Sequence, residues 1–136
     1  MSRRIQTTQL QGAGVTVKPD AYADRLIKYI PADVVGAWLA ADGAIRASDN
    51  TPTTVLLWIS FLFLLLLTPL WIFRQTKEAH KPPAMTQALI ATGSFAVWVF
   101  AIGGPFARYS FYRPLYATLL LIGYSLVVAA VIPKEA

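Results

Sequence analysis

Residues 54–73 read Thr-Val-Leu-Leu-Trp-Ile-Ser-Phe-Leu-Phe-Leu-Leu-Leu-Leu-Thr-Pro-Leu-Trp-Ile-Phe, twenty positions without one charged side chain. At about 1.5 Å of rise per residue, a helix of that length matches the roughly 30 Å hydrocarbon layer of a bilayer. Two further charge-free stretches follow, Thr86–Gly104 and Pro114–Ile132, each of 19 residues. A buried core helix is the competing reading. Charge-free runs of about 18 residues or more favour the membrane, and 136 residues offer too little polar surface to wrap three such helices. The chain is 56% hydrophobic and 14% charged, with a mean hydropathy of +0.51. Ordinary soluble domains are about 25% charged. Whole-chain disorder is excluded by the same composition. The absence of cysteine excludes disulfides, thiol nucleophiles and Cys-based metal sites. The expected fold is an all-α integral membrane protein. Its three transmembrane helices, at about 54–73, 86–104 and 114–132, lie within a domain spanning 52–133.

The flanks support that layout. Thr51-Pro52 resembles a helix start, Arg74 follows the first stretch directly, and Pro82-Pro83 breaks the chain before the second. Trp58, Trp71, Phe73, Phe106, Tyr109, Phe111, Tyr112 and Tyr116 cluster near the ends, as interfacial aromatics do. The first stretch starts too late and runs too long for a cleaved signal, and Arg3-Arg4 precede no apolar run, so insertion without cleavage is expected.

Before the apolar stretches, residues 1–19 read as a flexible tail, extended or disordered unless a partner orders it. Residues 20–48 carry a helical apolar period. Leu26, Ile27, Ile30, Val34, Ala37, Trp38, Ala41 and Ile45 share one face, and Asp24, Arg25, Lys28, Asp42 and Arg46 lie mostly opposite. Pro31 predicts a kink or a pair of helices with Pro31 opening the second. The segment is near neutral, so attraction to anionic lipid is weak. The expectation is an amphipathic interfacial helix or helix pair whose face (Leu26, Ile27, Ile30, Val34, Trp38, Ile45) lies on the membrane surface or docks a partner or another copy. Folding back onto the chain's own helices is the plain alternative.

The net charge is +5. Many basic residues flank the apolar stretches, where they act as topology signals and lipid partners, and no nucleic-acid motif accompanies them. With the N-terminus inside, basic residues number eight inside against four outside, but three against four close to the membrane. A cytoplasmic N-terminus is expected because exporting a 53-residue charged tail without a signal is an extra demand. The single histidine, His80, lies in a loop without partners for metal or base chemistry. The stretches contain no ionisable acid or base of the kind that drives proton-coupled carriers. No enzyme activity, cofactor, metal, nucleic acid or small-molecule substrate is expected. Ala88, Thr92 and Ala96 recur four apart as a small-xxx-small helix-packing surface.

Three segments together carry a resemblance: residues 26–35 (Leu-Ile-Lys-Tyr-Ile-Pro-Ala-Asp-Val-Val), 68–71 (Thr-Pro-Leu-Trp), and 96–106 ending Gly103-Gly104-Pro105-Phe106. The chain resembles small, uncharacterised bacterial three-span membrane proteins with an I-P-A-acidic-V-V segment and a GGPF turn, over roughly residues 24–132. The resemblance implies a bacterial inner-membrane location and shaped features at Pro31 and at Gly103, Gly104, Pro105 and Phe106; it carries no activity. Independently, two glycines followed by proline predict a structural turn. The expected function is a non-enzymatic membrane anchor or scaffold subunit, partnered by lipid and by another copy or a larger complex. The alternative is a small homo-oligomeric channel or permeability modulator.

Overall fold

The computed structural model describes residues 3–5, 11–12, 15–16, 22–79 and 82–131. The described residues form five α-helices: α1 (Tyr22–Tyr29), α2 (Ala32–Ala47), α3 (Thr53–Thr76), α4 (Met85–Ile102) and α5 (Pro114–Ala129). A 3₁₀ turn, Gly104–Phe106, joins α4 to α5. Outside the helices, Gln11–Gly12 pairs antiparallel with Val15–Thr16.

Pro31 divides α1 from α2, as its missing N–H requires. It stands just ahead of the first turn of α2, and its carbonyl accepts the Val35 N–H at 2.9 Å. α3 continues past the apolar stretch to Thr76, for 24 residues. Both α3 and α4 are long and apolar enough to cross a membrane. α5 is apolar but covers 16 residues, shorter than the 114–132 expected, because the chain turns at Ala130. Hydroxyls facing the interior bond within their own helices. Thr68 and Thr76 donate to Leu64 O and Ile72 O at 2.6 and 2.7 Å, and Ser94 donates to Ile90 O at 2.9 Å. These three hydroxyls are thus satisfied without partners from neighbouring helices.

α3 packs on α4 and α4 on α5; α2 lies against α3 and α4, and α1 against α5 and α4. α2 runs antiparallel to α3. Its first turn meets the end of α3, where Asp33 accepts from the Trp71 indole. Trp38 meets Phe61 half-way along, and Arg46 lies beside Thr53 and Thr54 at the start of α3. α2 thus folds back onto the chain's own helices, the plain alternative to a separate interfacial segment. The short connection 48–52 folds α2 back along α3, where apolar surface is available to its stripe.

The core between α2, α3 and α4 is aromatic. Trp38 meets Phe61 edge-on at 6.1 Å, and Phe61 stacks on Phe95 at 5.8 Å. Phe106 sets its ring edge-on to Trp58, Phe61 and Phe100 at 5.2–5.4 Å. These offset and T-shaped pairings are the favourable ones for aromatic quadrupoles. Large apolar side chains also point outward: Val55, Ile59, Leu62, Phe63, Leu66 and Leu70 on α3, and Leu115, Leu119, Leu120, Ile122, Leu126 and Val127 on α5.

Candidate functional site

The expected docking face is divided and largely covered. Val34 and Trp38 are buried with Leu57, Phe61, Phe95 and Val99, and Ile45 packs partly against them. These residues close the chain's own core, which corrects their assignment to an external partner or lipid surface. Ile27 is 70% exposed, and Ile30 is half-buried beside Arg3. The Leu26 side chain lies outside the described residues. The break at Pro31 explains the division. Two helices joined at a proline do not continue one 100° periodicity, so Ile27 no longer shares a stripe with Trp38.

The larger surprise lies in the segment expected as a flexible tail. Arg3, Arg4 and Ile5 are inserted between the start of α2, the end of α3 and the start of α4. The Arg3 guanidinium donates to four acceptors: Lys28 O at 3.3 Å, Ile30 O at 2.8 Å, Asp33 Oδ1 at 3.0 Å and Gln75 Oε1 at 2.5 Å. Arg4, 2% exposed, donates through Nη1 to Pro82 O at 2.8 Å and Thr76 O at 3.4 Å. The buried Gln87 amide reads the main chain on both sides: its Oε1 accepts from Ile5 N at 2.9 Å, and its Nε2 donates to Arg3 O at 2.8 Å. Lys28 Nζ donates to Arg4 O at 3.0 Å. Ile5 fills the space beside Tyr29 and Val128. This corrects the flexible-tail reading for residues 3–5. A planar five-donor guanidinium finds matching carbonyls where helices end and their last C=O groups lack partners.

Asp33 is the second anchor of this latch. Burial pushes its carboxyl up, but hydrogen bonds from Trp71 and Arg3, with the Arg3 charge, outweigh burial and hold it below its ordinary value. Sequence periodicity missed Arg3, Arg4, Gln75 and Gln87 because none belongs to an apolar repeat. The available signal was the Arg3-Arg4 pair itself, close to a bundle end lined with helix carbonyls.

Gly103, Gly104, Pro105 and Phe106 do form a shaped turn. Gly103 has φ +116° and Gly104 φ +51°, backbone states that side chains resist. Gly103 N donates to Val99 O at 3.0 Å, closing α4. A Cβ on Gly104 would stand 2.6 Å from Val99 Cγ1 and 3.2 Å from Trp38 Cζ2. Trp38 therefore packs directly over the turn, and Phe106 returns to the aromatic core.

Of the expected packing stripe on α4, Ala88 is buried against Ile72 and Ala91, and Ala96 packs against the aromatic core. The Thr92 hydroxyl donates to Ala88 O at 2.8 Å. The stripe, with Gly93 beside it, omitted Ala91 and Ser94. At Gly93 the Tyr124 ring of α5 approaches the backbone closely enough for its hydroxyl to donate to Ile90 O at 2.7 Å. Among the described residues, no group of three or more His, Asp or Glu side chains is placed to hold a metal. His80 lies outside the described residues. No family model matches the chain, and no curated protein or solved structure matches it.

Proposed function

We propose that this chain is a non-enzymatic membrane anchor or scaffold subunit, held in the lipid by α3, α4 and α5 and assembling with a second copy through α2. The observation that carries the reading is the distribution of exposed side chains. Large apolar residues cover the outer faces of α3 and α5, while the described charges lie at the two ends of the bundle. Water would penalise such a belt at about 25 cal/mol per Å² of apolar surface; lipid would not. A bacterial inner membrane fits the same arrangement.

The docking role moves to the other face of α2. Gly36, Ala40, Gly43 and Ala47 line its outside, and a Cβ added at Gly36 or Gly43 would meet nothing within 4 Å. Small residues at intervals of four and three let another helix approach closely in lipid. Cysteine substitutions test assembly on this naturally cysteine-free background. Gly43→Cys is expected to form a disulfide-linked dimer in membranes under mild oxidation, and outward Leu120→Cys is not. Alkaline carbonate should leave the chain in the pellet. Extraction by carbonate would defeat the membrane reading; a monomer at every concentration without cross-linking would defeat the self-assembly.

A further inference from the structure

The tip of the α2–α3 hairpin holds a second polar feature, remote from the Arg3 latch. A cleft of about 390 Å³ opens between Arg46, Thr53, Thr54, Leu57, Gly104 and Arg108. Its two guanidiniums come from different elements and are each held in place. Arg46 donates through Nε to Asp42 Oδ1 at 2.9 Å and through Nη2 to Gly104 O at 3.2 Å. Arg108 donates to the Thr54 hydroxyl and stands beside the Tyr109 ring. An arginine carries five N–H donors, so both retain donors for an incoming acceptor.

We infer that this cleft binds a phosphate-ester anion, supplied by the head group of a membrane lipid. The charge balance fits a phosphodiester. Asp42 offsets one guanidinium, leaving one net positive charge opposite one negative charge. Paired guanidiniums match phosphate oxygens in geometry as well as charge. The Thr53 and Thr54 side chains line the same wall, and no side chain caps the first turn of α3. That helix end adds a favourable field without being the basis of the site. The surroundings select lipid over free anion. Leu57 forms part of the cleft, and the outward apolar side of α3 begins next to it at Val55, so acyl chains could continue along α3 from a bound head group.

The inference takes only the lipid source from the membrane reading, and its test is run in detergent, so its failure leaves the carbonate result untouched. The full chain in a neutral maltoside is titrated with dihexanoyl phosphatidylglycerol, with dihexanoylglycerol of the same chains lacking phosphate, and with inorganic phosphate, while the thermal midpoint is followed. The phospholipid should raise the midpoint saturably and dihexanoylglycerol should not. The apparent affinity should weaken about tenfold in Arg46→Gln/Arg108→Gln. Arg108→Gln alone keeps the Arg46–Gly104 contact and should weaken it in the same direction; Arg74→Gln, at the opposite end, should leave it unchanged. If inorganic phosphate reproduces the full rise, the lipid source is overturned and the occupant is the free anion. Equal shifts with and without phosphate, or in wild type and the Arg108→Gln variant, overturn the site.

Discussion

Gly104 concentrates more constraints than any other single position described above. Its backbone is left-handed at φ +51°, and the space its missing Cβ leaves is filled by Val99 and the buried Trp38. Gly104→Ala should destabilise the bundle by about 2–4 kcal/mol, combining a left-handed backbone with overpacking. Gly123→Ala is the contrasting substitution: it sits inside α5 with open space around it, and should stabilise by about 0.5–1 kcal/mol through helix propensity. Unfolding titrations in detergent, followed by tryptophan fluorescence, should separate the two in sign. The sequence makes the need for glycine in residues 103–104 visible, since Gly-Gly-Pro has few other uses at the end of an apolar stretch. It does not reveal that Trp38, 66 positions away, is what fills the space at Gly104. That knowledge requires the direction in which α2 runs.

At the scale of elements, helix pairs are joined by few polar contacts, so each can be isolated. α4 and α5 meet where the Tyr124 hydroxyl crosses to Ile90 O over Gly93. Gly93→Ala displaces that hydroxyl, and Tyr124→Phe removes it. The double variant should be more stable than the sum of the two losses by about 1 kcal/mol, because the displaced group is absent; strict additivity would disprove the contact. α2 and the N-terminal segment meet through Asp33. Its folded-state value lies below the ordinary 3.8, so its contribution is present above that pH and disappears as pH falls through the folded value. The stability gap between wild type and Asp33→Asn should be constant from neutral pH down to about 5 and close below 3.8. The carboxylate is 38% exposed, so the gap should stay under about 1 kcal/mol. Helix positions were legible because apolar periods and prolines act locally. The latch was not, because Arg3 and Gln87 find each other across 84 positions and neither belongs to a repeat.

For the whole molecule, the two orientations of α2 give different topologies. A segment lying on the membrane surface would leave the N-terminus on the same side as the turn at Ser48. The antiparallel α2 instead brings Arg3 and Arg4 to the end that holds Gln75, Thr76 and Pro82. The proposed membrane arrangement then sorts the described basic side chains: Arg3, Arg4, Lys28, Arg74 and Lys77 at one end, Arg46, Arg108 and Arg113 at the other. The sequence count was undecided because it assigned the tail and the loop after α3 to opposite sides. With the two paired, the described basic side chains stand five against three, and in the proposed membrane arrangement the positive-inside rule predicts a cytoplasmic latch end. Single cysteines at Ser2, Lys77 and Ser48 should therefore sort as two against one. In intact cells a membrane-impermeant maleimide should label Ser48→Cys, and Ser2→Cys and Lys77→Cys should react only after the membrane is opened. Ser2→Cys reacting together with Ser48→Cys would return α2 to the surface and separate the latch from the loop it grips.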